Sequence, residues 1–132
     1  MSFWQWLLSL FRKQKPAQMP APEIKIMANN IEVTWVPPTL DTANKPTTIS
    51  KVTVYERQPG GTVIKALEIT DPVILAAKKV MLVDYFTTSR VYEFAVSSSN
   101  PEGESAISPW GSDSLDVPQP MGAPGVRIVP KP

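Results

Sequence analysis

Over residues 90–105 the chain reads RVYEFAVSSSNPEGES, and its apolar side chains fall on every second residue before a turn sequence takes over. Tyr92, Phe94 and Val96 share one face; Glu93, Ala95 and Ser97 share the other. A period of two is what a strand with one buried face requires, because successive Cβ atoms point to opposite sides of a pleated backbone. Asn100-Pro101-Glu102-Gly103 then reverses the chain, since these residue types accept the backbone angles of a turn. A chain built around such a strand must supply partners to pair with it.

Partners are present upstream. Ile24 and Ile26 alternate with Glu23 and Lys25, and after Ala28-Asn29-Asn30 a second alternation places Ile31, Val33 and Trp35 on one face. Burial of the Trp35 indole contributes a few kcal/mol, on the order expected for a large apolar side chain. Pro37 and Pro38 end that strand, and the polar stretch 40–48 predicts a loop. Ile49, Val52 and Val54 begin a further strand with Tyr55 and Arg57 directed outward. Gln58-Pro59-Gly60-Gly61-Thr62 predicts a hairpin turn, because glycine reaches positive φ without a Cβ clash. Residues 62–70 alternate poorly and suit an edge strand, Asp71-Pro72 breaks it, and 73–79 has the composition of a helical turn. Val80 and Leu82, with Tyr85, lead to Phe86 and the long strand. Beyond it, Ile107, Leu115 and Val117 suit a last, edge strand that Pro109 and Gly111 interrupt. Trp110 between them either covers the end of the core or makes an exposed contact.

The long strand resembles the F strand of a fibronectin type III domain, in which a Tyr is followed at fixed intervals by an aromatic residue, Val, Asn, Gly and Ser. Here those places are Tyr92, Phe94, Val96, Asn100, Gly103 and Ser105. At the preceding corner, where the family usually has Leu, this chain has Phe86, and Thr88 replaces the usual Pro. Trp35 ahead of its proline bend is similar to the core Trp of the family's B strand. The resemblance covers roughly residues 23–117. It implies an all-β, seven-stranded antiparallel, Ig-like sandwich whose core and corners are defined by Trp35, Phe86, Tyr92, Phe94, Val96, Asn100 and Gly103. The Arg-Gly-Asp tripeptide of some fibronectin modules does not occur in the sequence.

At 132 residues there is room for one such domain, of about 100 residues, and some extra length. Thirteen basic residues against 12 acidic ones leave a net charge of +1, so no global field favours nucleic acid. Cys and His are absent, which removes thiol nucleophiles, disulfides, imidazole bases and the usual zinc ligands. There is no Gly-rich phosphate loop and no Ser nucleophile elbow. The acidic residues fall mostly on outward strand positions or loops; Glu102 with Glu104 is the densest pair and suits calcium less well than solvent. An enzyme is not expected, nor a cofactor or a metal.

The extra length is distinctive. Residues 1–15, MSFWQWLLSLFRKQK, placed on a helix, gather Ser2, Gln5, Ser9, Arg12 and Lys13 into a narrow polar stripe. Phe3, Trp4, Trp6, Leu7, Leu8, Leu10 and Phe11 cover the rest. The apolar stretch of about nine residues is far short of the roughly 20 a membrane-spanning helix needs. Its positive charges follow the apolar run, the reverse of a secretory signal. A helix this short is marginal alone in water, so the apolar face must be covered by a partner protein, by a bilayer interface or by its own domain. The Pro-rich residues 16–22 predict a stiff, extended spacer that holds the helix away from the sandwich. Residues 118–132 form a Pro- and Gly-rich arm in which Val126, Ile128 and Val129 would permit pairing with a neighbour's sheet edge.

The sequence therefore predicts a non-catalytic structural or interaction protein, docked through Phe3, Trp4, Trp6, Leu7, Leu8, Leu10 and Phe11 onto other structural proteins of a larger assembly. A short, cysteine-free sandwich with an aromatic docking helix looks like an accessory component of a bacteriophage virion, on a capsid, tail or fibre, with weak binding to cell-surface glycans. The alternatives are a peripheral membrane adaptor using the same helix, and a carbohydrate-binding module whose aromatics come from Tyr55, Tyr85 and Trp110.

Overall fold

A computed structural model of the chain describes residues 2–5 and 14–114. Strand β1 (Glu23–Met27) pairs antiparallel with β2 (Asn30–Thr34), and β2 pairs in turn with β5 (Lys79–Leu82) to give one sheet. The second sheet runs from β4 (Val63–Ile69) through β3 (Lys51–Arg57) to β6 (Val91–Asn100), whose far side carries β7 (Gly103–Glu104) and β8 (Gly111–Ser114). A short helix, α1 (Pro72–Ala77), crosses from β4 to β5. Asp71 caps it by accepting from the Val73 amide at 2.9 Å, Pro72 starts it where no amide donor is needed, and Lys78 ends it in the left-handed conformation.

The inward faces of the two sheets bury Ile24, Ile26, Ile31, Val33, Trp35, Val52, Val54, Ile69, Leu82, Tyr92, Phe94 and Val96. Phe86 packs edge-on against Tyr92, with ring centroids 5.0 Å apart, and the Tyr92 hydroxyl donates to the Thr88 carbonyl at 3.1 Å. That bond ties the start of β6 to the corner before it. The Gln58–Thr62 turn forms as expected, with Gly60 and Gly61 both at positive φ.

Eight strands stand among the described residues where the sequence predicts seven. The difference lies in the last one. Between Phe94↔Gly111 and Ser99↔Glu104, β6 advances five residues while its partner advances seven, so two extra residues bulge out. Ser105 and Ser108 keep the ladder satisfied across the break. Each donates its amide to β6, and each accepts a β6 amide on its hydroxyl, from Ser98 at 3.0 Å and from Val96 at 2.9 Å. Ile107 in the bulge is 40% exposed rather than in a strand; Leu115 and Val117 lie outside the described residues.

The predicted spacer is corrected by the structure. Residues 14–22 do not stand off the domain; they run along it as a strap. The Ala17 amide donates to the Leu40 carbonyl at 3.1 Å, the Thr42 amide to the Lys15 carbonyl at 3.0 Å, and the Gln18 side chain to the Ile107 carbonyl at 2.6 Å. Pro16 and Pro22 are buried, and Met19, 1% exposed, belongs to the core. Where the strap enters β1 it closes the seam between the sheets: the Ile26 amide donates to Asp113 at 3.1 Å, and the Pro22 carbonyl lies so close to Gly111 that no Cβ fits there. Proline's fixed φ suits an extended strap as well as a free spacer; a methionine that can fill the seam decides between them.

Candidate functional site

The predicted docking segment is described only at its start. Phe3 to Gln5 are helical, and Ser2 and Gln5 cap that turn reciprocally, at 3.1 and 3.2 Å, as in a capping box. Phe3 is 65% and Trp4 70% exposed, their rings edge to face at 5.9 Å. Trp6, Leu7, Leu8, Leu10 and Phe11 lie outside the described residues, as do Val126, Ile128 and Val129 of the arm. No helix of the described residues is long and apolar enough to cross a membrane.

The root of that segment is fixed by two loops. Asp41 is 1% exposed, and its carboxylate accepts amides from Gln14 at 3.0 Å, Ala43 at 2.8 Å and Lys45 at 2.9 Å. The Gln14 amide, followed by those of Lys45 and Ala43, holds the Asp41 carboxyl below its ordinary pKa in spite of burial. The Asn100 side-chain amide meanwhile donates to both the Gln14 carbonyl and the Thr47 hydroxyl, each at 2.8 Å. Asn100, predicted from the resemblance as a fold-defining residue, thus joins the strap to the loop after β2. Gly103 takes the positive φ of 138° at the end of the turn after β6, a conformation that side chains rarely adopt.

At the opposite end of β3 lies a feature that the sequence reading missed. Glu56 continues the inward series Val52, Val54 and is 1% exposed. It accepts from the Arg90 guanidinium at 2.7 Å on one oxygen and from the Tyr85 hydroxyl on the other. The Arg90 guanidinium also lies 3.8 Å from the centroid of the Tyr92 ring. On the outer face beside it, Arg57 grips Glu93 through two bonds of 2.9 Å and lies 4.6 Å from the Trp110 ring. This pairing lowers the Glu93 pKa and raises that of Arg57. Arg57, Arg90, Glu93 and the Gly60-Gly61 turn line a cleft of about 390 Å³. The period-two rule, carried one step past Val54, would have placed Glu56 inside.

The aromatic residues of the predicted carbohydrate module are not brought together. Tyr85 turns inward against Tyr92 and Phe94, while Tyr55 sits on the outer face and gives its hydroxyl to Glu104. Burial, followed by the Glu104 bond, pushes the Tyr55 hydroxyl up to about 12. Glu104 also accepts from Ser97, so it faces the sheet rather than pairing with Glu102. Trp110 is half-buried over Arg57, neither a member of the buried core nor a fully exposed contact.

No protein-family model matches the chain, and no curated protein does. Solved structures do, and several of them are fibronectin type III domains. The fibronectin type III domain of human fibronectin type III domain containing protein 3 superposes with a TM-score of 0.62 at 15% identity, covering 85% of this chain and 96% of that one. The twitchin kinase region from C. elegans gives 0.59 at 18% identity over 81% of this chain. Titin kinase with its flanking domains gives 0.60 at 13% over 78%. This chain spans only 17% of the length of each of those two, so the likeness is to one module within them. It establishes the fold: a fibronectin type III β-sandwich.

Proposed function

We propose that the chain is a non-catalytic interaction module: an N-terminal amphipathic helix seats it on other structural proteins of a larger assembly, and the sandwich is displayed from that seat. The observation that carries this reading is the exposure of the Phe3 and Trp4 rings, in the chain segment that precedes a strap whose start at Gln14 is fixed by Asp41 and Asn100. Large, mostly exposed aromatic side chains are the kind that carry most of the energy of a protein interface. The assembly we propose is a bacteriophage particle, on the analogy of small accessory sandwiches carried by capsids, tails and fibres.

The test uses the full chain and a Phe3→Ser, Trp4→Ser variant. Cosedimentation of the native chain with purified particles, lost in the variant, supports the seat. Flotation of the native chain with liposomes, equally lost in the variant, replaces it with the peripheral-membrane reading, in which the tryptophans and the trailing Arg12, Lys13 and Lys15 meet a bilayer interface.

A further inference from the structure

Strand β4 closes one side of its sheet and, among the described residues, pairs only with β3. The backbone groups along its other edge therefore meet no strand, and such an edge is a template for an added one. The devices that commonly guard an edge are weak here. β4 contains no proline, and its charged residues Lys65 and Glu68 stand on the outer face, paired with each other at 3.1 Å. A bulge at Ala66 breaks the strand into two short straight pieces, which suits a partner of a few residues rather than a long strand. The core is also incompletely covered on this side. Ile69 is buried, but Ile64 and Leu67 on the same face are half-buried, as is Ile74 of α1. The edge of the other sheet, β5, is shorter and packs against α1.

We infer that the free edge of β4 takes residues 126–129 from a second copy of this chain as an added strand. Val126-Arg127-Ile128-Val129 is the one run of more than a single residue in 118–132 that contains neither Pro nor Gly, and three of its four residues are β-branched. Gly125 and Pro130 bound it, so its length matches a short, bulged edge. Val126 and Ile128 fall on one face of a strand and would cover Ile64 and Leu67, leaving Arg127 on the outer, wet face. Reach permits the exchange, because residues 115–125 extend up to about 36 Å beyond Ser114. Direction selects the second copy over the same chain. β8 runs toward the end of the sheet at which β4 begins, through the pairs Val91↔Ser114, Arg57↔Glu93 and Arg57↔Val63. An arm crossing that end onto its own β4 would arrive parallel to it, whereas the arm of another copy is free to lie antiparallel, the stronger pairing. Phe3 and Trp4 take no part in this contact, which stands independently of the N-terminal seat.

Light scattering and amide hydrogen exchange on the full chain and on an Ile128→Pro variant test it; the substitution lies outside the sandwich and removes an amide donor from the arm. The expected result for the native chain is a mass that rises with concentration toward that of two or more chains. Over the same range, the β4 amides that face away from β3 should slow in exchange on the order of tenfold or more. Both effects should disappear in Ile128→Pro while the β6 amides keep their protection. A native chain that stays monomeric with those β4 amides unprotected overturns the proposal. Protection that depends on Ile128 in a strictly monomeric chain overturns it too, because the arm would then lie on its own edge. Association that survives Ile128→Pro but is lost in the Phe3→Ser, Trp4→Ser variant overturns it in favour of contact through the N-terminal aromatics.

Discussion

The Asp41 carboxylate accepts the backbone amide of Gln14 across 27 residues of sequence, at 3.0 Å, and the same carboxylate closes the turn that holds it through Ala43 and Lys45. One buried side chain therefore organises a loop and anchors the chain's N-terminal strap to it.

Acid should release that anchor. The folded-state pKa of Asp41 lies below its ordinary value of 3.8, so its contribution to stability is fully present above that value and is lost as the pH falls through the lower, folded-state one. Hydrogen exchange of the Gln14, Ala43 and Lys45 amides should accelerate together below pH 3.8, ahead of the β6 amides. Asp41→Asn should show the faster exchange at neutral pH as well. Exchange rates in that variant equal to the native ones would show that the carboxylate does not hold the strap.

Met19→Ala should destabilise the domain by about 2–5 kcal/mol, the range for truncating a buried long apolar side chain. A free spacer would predict no change, so denaturant unfolding of this one variant separates a docked strap from a detached one.

Gly111→Ala should be costly although Gly111 lies in an edge strand at ordinary φ. An added Cβ would stand 2.1 Å from the Pro22 carbonyl oxygen, which is backbone and cannot rotate away. A loss of about 1–3 kcal/mol or more is expected by thermal unfolding. Gly60→Ala, by contrast, meets no neighbour within 4 Å, so its cost is limited to the positive-φ conformation.

Removing one partner of the buried pair should cost more than removing both. Arg90→Met strands the Glu56 charge and should cost about 3 kcal/mol, the low end of the range for a broken buried pair because Arg90 is a quarter exposed. Glu56→Leu with Arg90→Met should recover most of that loss. A double variant as unstable as the single one would show that the pair is needed for folding itself and not for placing Arg90.

The sequence by itself determined the sandwich. A period of two writes the buried face directly into residue order, so Ile24, Val33, Val54, Tyr92, Phe94 and Val96 were legible as core, and glycines marked the Gln58–Thr62 turn because only certain backbone angles reverse a strand. Tertiary structure alone decided what the irregular segments do. Nothing local distinguishes a proline strap from a proline spacer, or tells Asp41 from any loop carboxylate, because their partners are Leu40, Gln14 and Ile107, far away in sequence and near only once the sheets have closed. Glu56 stands between the two cases. Its inward position followed from alternation, but the Arg90 and Tyr85 groups that make a charge tolerable there are brought to it only by the pairing of β3 with β6 and the packing of the corner after β5.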